Sequence, residues 1–252
     1  MIRTTWVAFN AIVATIVLGL PVIGLALLHV RGRFYDFAGR TWSRWILWSA
    51  GTRVQVDGGE NARRDRPCVL VGNHQSWFDV LAVASSLPRP FHFVAKKELA
   101  AVPLWGAAWK AAGHISIDRS DHESAIESLD QAGRQMKAQN AAVVIFPEGT
   151  RSVTGELQEF KKGAFMLALR AGVEMVPFGV GGSRVVLPKG QWRVRPGTII
   201  VRFGEPVQTT GLGEDDRDRL IQDVRGRIRN LRDEAEAEVQ AMKATEIGHQ
   251  TR

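Results

Sequence analysis

The chain has 252 residues and a mass of 27.8 kDa, enough for one sizeable α/β core or one domain with a short appendage. Apolar residues make up 45% and charged residues 23%, which excludes widespread disorder, and a lone cysteine, Cys68, excludes a disulfide framework and any multi-cysteine metal site. The formal charge of +7 and pI near 10.1 admit nucleic acid, anionic lipid or acidic small molecules as partners.

The distribution of charge favours lipid over nucleic acid. Residues 1–58 hold Arg3, Arg31, Arg33, Arg40, Arg44 and Arg53 against Asp36 and Asp57, so +4 of the +7 lies beside the most apolar stretch. Residues 6–30 carry no formal charge with His29 neutral, and at about 1.5 Å per residue a helix this long crosses a bilayer. Pro21 would kink it, so a bent segment dipping into one leaflet competes with a straight span. A cleaved signal peptide fits less well, since one arginine is a thin basic leader. A helical projection of residues 34–48 gathers Phe34, Phe37, Ala38, Thr41, Trp45 and Trp48 on one side, with Arg40 and Arg44 along the edge and Asp36 and Ser43 opposite. Aromatic rings beside arginines suit an interfacial helix. If the first segment spans, the arginines that follow it outweigh Arg3 and place the next domain on the cytoplasmic face.

After the turn at residues 58–66, short β-rich runs at 68–71, 91–95, 114–117, 142–146, 174–180 and 198–203 alternate with helical stretches near 77–87, 99–112, 121–139 and 163–171. This predicts an α/β fold with a largely parallel central sheet flanked by helices, preceded by a membrane-associated helical segment. A last helix over 215–243, with Leu220, Val224, Ile228 and Leu231 on one face, is expected to pack on the domain edge, and residues 245–252 to fray. The expected division is an anchor at 1–58, the α/β domain at 59–213 and a C-terminal helix and tail at 214–252.

Two strand ends carry chemistry. The first runs into Gly72-Asn73-His74-Gln75-Ser76-Trp77-Phe78-Asp79. On one helix His74 and Asp79 would point about 140° apart. With His74 on the turn and a helix starting near Ser76, Asp79 can reach back to the imidazole, fix its tautomer and support the imidazolium while the other nitrogen takes a proton from a hydroxyl. Ser76-x-x-Asp79 also fits a plain helix-capping box. The second strand ends in Pro147-Glu148-Gly149-Thr150-Arg151-Ser152. Here Arg151 offers a fork for phosphate, with the Gly149 and Thr150 amides as companions. Glu148 would repel phosphate, so it either orients Arg151 or accepts from a substrate hydroxyl.

Asn73-His74-Gln75-Ser76-x-x-Asp79 together with Phe146-Pro147-Glu148-Gly149-Thr150-Arg151-Ser152 resembles the glycerolipid acyltransferase family that includes the 1-acylglycerol-3-phosphate acyltransferases. Gly113-His114-Ile115-Ser116-Ile117-Asp118-Arg119 and Val176-Pro177-Phe178 agree in order and spacing, over about residues 60–205; Ser116 stands where the family often has phenylalanine. The resemblance implies that His74, oriented by Asp79, deprotonates the free hydroxyl of a lysophospholipid, which attacks a coenzyme A or acyl-carrier-protein thioester. It implies no metal, no bound cofactor and no covalent acyl-enzyme. Lys96 matches a family lysine able to steady phosphate or oxyanion. With Asn73, Gln75, Ser76, Glu148, Gly149, Thr150 and Arg151 it makes up the expected substrate-binding set, and Arg119 and Lys162 are lesser candidates. An acyltransferase for a phosphate-free lyso-lipid such as lyso-ornithine lipid would look similar, and a non-catalytic lipid-binding module would lack a reason to keep the dyad. A serine hydrolase is disfavoured, because Ser76 and Ser152 have no Gly-x-Ser-x-Gly setting. His92, His114 and His122 lack metal-ligand spacing.

Overall fold

The computed structural model describes residues 1–30, 32–62, 65–118 and 121–250. Arg31, counted in the anchor charge, and Arg119 fall outside the described residues.

Helices α1 (Ile2–Leu27) and α2 (Phe34–Ala50) form an antiparallel hairpin. Along its length Arg3 Nη1 donates to Ala50 O, Trp45 Nε1 to Asn10 Oδ1 and Trp42 Nε1 to Thr15 Oγ1, each at 3.0 Å. α1 is apolar and long enough to cross a membrane, and Pro21 sits inside it without ending it. Its two faces differ in surroundings rather than polarity. Val7, Ala14, Gly19 and Val22 are buried, whereas Trp6, Phe9, Ile12, Ile16 and Leu20, three or four residues apart, are exposed. The side of α2 expected to face lipid is divided: Phe34, Phe37 and Trp48 are exposed, but Ala38 is buried and Trp45 turns to Asn10 of α1, while Ser43 and Ile46 pack inward.

Strand β1 (Thr52–Asp57) corrects the expected anchor of residues 1–58, because it pairs in parallel with a late strand and belongs to the sheet. As an edge strand it is covered on one side only, so it alternates polar and apolar residues instead of showing an unbroken apolar run. The chain continues through α3 (Gly59–Ala62), β2 (Cys68–Gly72), α4 (Trp77–Ser86) and β3 (Phe91–Lys96). The single helix expected over 99–112 is split. Pro103 lacks an N–H, and the stretch forms a 3-10 turn at Lys97–Ala101 and a short α5 (Trp105–Ala111). There follow β4 (Ile115–Ile117), α6 (His122–Gln139), β5 (Ala142–Ile145), α7 (Gly163–Ala171), β6 (Met175–Gly181), α8 (Ser183–Val186), β7 (Gly197–Phe203) and α9 (Arg217–Gln250).

The sheet order is β1-β7-β6-β2-β5-β3-β4, parallel throughout except for β6 against β7. Alternate residues of the central strands serve two apolar layers. Leu70 and Val144 join the layer under α1, α2 and α4; Val69, Val71, Val143 and Ile145 join the layer under α6, α7 and α9.

Helix α9 lies across the face of β6 and β7 rather than on the domain edge, and it stays helical through Gln250 where fraying was expected. Gly179 and Gly181 explain the contact. A Cβ on Gly179 would meet Arg232 N at 2.3 Å, and one on Gly181 would meet Ala235 C at 2.5 Å. The Gly179-x-Gly181 pattern therefore sits within β6 and admits a helix backbone at close range.

Candidate active site

Both polar segments emerge from the C-terminal ends of adjacent parallel strands, β2 and β5, where side chains and loops of an α/β sheet converge. Ser76 starts α4 with a capping box: its Oγ accepts from Phe78 N at 3.1 Å, and Asp79 Oδ2 accepts from Ser76 N at 2.8 Å. The same Oδ2 accepts from Gln75 N at 2.7 Å and lies 2.8 Å from His74 Nδ1. Capping and histidine orientation, rivals in the sequence, are thus one arrangement. Asp79 is fully buried and His74 nearly so, with Nδ1 taken by the carboxylate, which leaves Nε2 as the nitrogen for chemistry. The imidazole lies on the Phe146 ring at 4.2 Å between centroids and 18° between planes, and Phe146 meets the edge of Phe178. Phe146 is a support that spacing rules did not single out.

The two loops are bolted together by Glu148. Its Oε1 accepts from His74 N at 2.7 Å, its Oε2 from Gln158 N at 3.0 Å, and Ser152 N donates to His74 O at 2.7 Å. Burial pushes the Glu148 carboxyl above its usual range while these N–H groups pull it back. Its carboxylate is spent on these N–H groups, and the buried side chain is not part of the lining of the cavity that holds Arg151.

Of the expected substrate-binding set, Lys96, Gly149, Thr150 and Arg151 line one cavity of about 260 Å³ together with His74. Arg151 lies over the Trp77 ring at 4.8 Å, which holds its fork at the mouth. Lys96 reaches the same rim, ion-paired with Glu98 at 2.7 Å. Asn73, Gln75 and Ser76 turn away. Asn73 exchanges two hydrogen bonds with Val180, Gln75 Nε2 donates to Val180 O and Glu236 Oε1, and Ser76 Oγ donates to Leu187 O at 2.7 Å. All three hold the loop against β6, α9 and the segment after α8. The Gly149 amide, expected to bind phosphate, already donates to Phe146 O at 3.0 Å. Lys162 begins α7 at the surface and does not line the cavity.

Lys189 was invisible to motif reading: its Nζ donates to Arg151 O at 2.7 Å and Thr150 Oγ1 at 3.2 Å, bracing the Arg151 loop. Only its place after a proline, outside any motif, marks it in the sequence.

A second cavity of about 290 Å³ shares Trp77, Val80, Phe93, Trp105 and Trp109 with the first and is almost wholly apolar. Its far walls are Ala11, Leu18 and Val22 of α1 and Ala38, Gly39 and Trp42 of α2, so the hairpin closes a pocket as well as presenting an apolar surface. His114 ends this pocket. Its Nδ1 accepts from Phe93 N at 3.2 Å, and burial pushes its pKa down to about 3. Acid therefore protonates the unfolded chain first, and stability is lost as pH falls from the ordinary histidine range toward that value, at up to about 1.4 kcal/mol per pH unit. Denaturant melts at pH 7 and pH 5 should show this loss, and His114→Phe should flatten it. Ser116 is away from the catalytic cavity and lines a small polar one of about 200 Å³ with His114, Lys110 and Gln135.

Neither motif serine is aimed at His74. Ser76 Oγ is engaged as described, Ser152 Oγ accepts from Gly155 N, and Cys68 is buried with its thiol pushed up to about 11. A carboxylate-steered imidazole between a cationic rim and an apolar pocket, with Ser76, Ser152 and Cys68 all engaged or buried elsewhere, suits a transferase in which an alcohol attacks an acyl donor directly.

The comparisons make that class specific. The family described as Acyltransferase matches residues 53–181. A protein from Cocos nucifera named 1-acyl-sn-glycerol-3-phosphate acyltransferase is 34% identical over 189 residues, 74% of this chain and 60% of that protein. The Homo sapiens protein named 1-acyl-sn-glycerol-3-phosphate acyltransferase alpha is 35% identical over 211 residues, 83% of this chain and 75% of its own length. In three dimensions the 1-acyl-sn-glycerophosphate acyltransferase PlsC from Thermotoga maritima aligns with a TM-score of 0.78 at 25% identity, covering 94% of this chain and 97% of that one. The chain belongs to the 1-acylglycerol-3-phosphate acyltransferase family of glycerolipid acyltransferases.

Proposed function

We propose that this protein moves a fatty acyl group from a coenzyme A or acyl-carrier-protein thioester to the sn-2 hydroxyl of 1-acylglycerol 3-phosphate, giving phosphatidic acid. The observation that carries this reading is the shared cavity in which His74, braced by Asp79, lies beside Arg151 and Lys96 and opens on the apolar pocket. His74 Nε2 takes the hydroxyl proton as the oxygen attacks the thioester carbonyl, the tetrahedral intermediate expels the thiolate, and the imidazolium returns the proton to that sulfur. Arg151 and Lys96 hold the acceptor phosphate, and an acyl chain runs between Trp77 and Trp109 toward α1 and α2. The reaction uses the donor as co-substrate, with no bound cofactor or metal.

We further read α1 and α2 as a one-leaflet anchor on the cytoplasmic side. The hydrogen bonds that tie the first half of α1 to α2, and the pocket that α1 walls as far as Val22, support this over a span, and its outer stripe of Trp6, Phe9, Ile12, Ile16 and Leu20 suits acyl chains.

A labelled acyl donor with a panel of lyso-lipids tests the assignment. Phosphatidic acid should be the dominant product, and Arg151→Ala should raise the apparent KM for the phosphate-bearing acceptor about tenfold with a smaller change in kcat. Equal rates on lyso-ornithine lipid, or an unchanged acceptor dependence in the variant, would defeat it.

A further inference from the structure

The segment between α8 and β7 belongs to neither motif, yet it is tied to the turn before α4, to the Arg151 loop and to α1. Ser76 Oγ holds it at Leu187 O, Lys189 holds the loop of Thr150 and Arg151, Arg195 N donates to Val186 O at 2.9 Å, and Val194 N donates to Thr4 Oγ1 of α1 at 3.1 Å. Between these ties Trp192 stands out into solvent, 88% exposed, while Val194 is buried. Arg193 and Arg195 flank it, both exposed. From residue 175 to residue 204 the sequence has Arg184, Lys189, Arg193, Arg195 and Arg202 and no acidic residue.

We propose that residues 188–195 form a second membrane contact, in which Trp192 enters the headgroup layer of an anionic bilayer with Arg193 and Arg195 against lipid phosphates. This rests on the one-leaflet reading of α1 and α2 and extends it. An indole prefers the membrane interface, and arginines beside it add attraction to anionic lipid. The patch is continuous with the hairpin: Thr4 ties the segment to the first turn of α1, whose Met1, Ile2 and Trp6 are exposed, and Arg3 joins that turn to the end of α2, where Trp48 is exposed. Because Lys189 grips the Arg151 loop three residues before Trp192, docking the strap sets that loop at the lipid surface, where an acyl acceptor resides.

The test uses the full chain with Trp192→Cys labelled by nitrobenzoxadiazole. The lone native thiol, Cys68, is buried, so labelling is directed to position 192. Adding mixed phosphatidylglycerol–phosphatidylcholine vesicles should brighten and blue-shift the dye, with a weaker response to phosphatidylcholine alone. Trp192→Ala should co-sediment with the mixed vesicles about tenfold less tightly and turn over vesicle-borne acceptor more slowly, with its rate on a dissolved short-chain acceptor unchanged. A silent dye on protein that still sediments with vesicles would overturn this inference and leave the hairpin reading standing. Failure to sediment at all would overturn both. A dye response to soluble acyl carrier protein and none to vesicles would overturn it in favour of an acidic protein partner.

Discussion

His74→Ala should lower kcat by about 10³-fold while leaving the protein folded, because general-base assistance of this kind is worth roughly 10² to 10⁴ in rate. The fold does not depend on the ring. The backbone of His74 makes the contacts that join the two loops, its N to Glu148 and its O from Ser152, and alanine keeps both. Asp79→Asn should cost a similar factor for a different reason. Asp79 Oδ2 is shared by His74 Nδ1, Gln75 N and Ser76 N. An amide placed there can offer oxygen to the backbone but carries no charge to support an imidazolium. The double variant should be little worse than either single one, as for residues acting as a unit. Steady-state rates with circular dichroism on the same preparations provide the measurement. Full activity in either single variant would end the proposed mechanism.

The second large effect falls on stability, at Gly181. A valine there must place its Cβ against backbone atoms of Ala235 and Glu236, which cannot rotate aside, so α9 has to lift from β6. Overpacking of this kind costs roughly 3 kcal/mol, or a fall of roughly 10 °C in Tm for a chain of this size. The lifted helix also carries Glu236, which receives Gln75 Nε2 at 3.0 Å, and Arg232, whose Nη1 donates to Gly155 O at 2.6 Å. Activity should therefore fade at temperatures the parent protein tolerates. Gly226→Ala, on the same helix with nothing within 4 Å of the new Cβ, is the control and should stabilise slightly. An unchanged Tm in Gly181→Val would show that the close approach of α9 to β6 is not what holds the helix.

What proved legible follows from locality. The strands with unbroken apolar runs and the turns that end them were readable because a buried parallel strand must be apolar on both faces. His74 and Asp79 were readable because both lie on one strand-to-helix turn, only five positions apart in the chain. The exceptions share a cause as well. The edge strand β1 shows alternation rather than an apolar run, so it merged with the helical segment before it. Asn73, Gln75 and Ser76 sit beside the histidine in sequence, but an extended turn sends neighbouring side chains in different directions, and these three bind Val180, Glu236 and Leu187.

The sequence alone determined the class of fold, the placing of an imidazole and a carboxylate on one turn, the cationic turn after β5 and the apolar character of the first helix, because each is written in residues close together along the chain. Only the tertiary structure decided that Glu148 joins the two loops, that Lys189 braces Arg151, that α1 and α2 wall the apolar pocket, and that α9 reaches the active-site turn. Those contacts join residues 10 to more than 160 positions apart, and no local pattern specifies which distant side chain a folded sheet will bring to a given strand end.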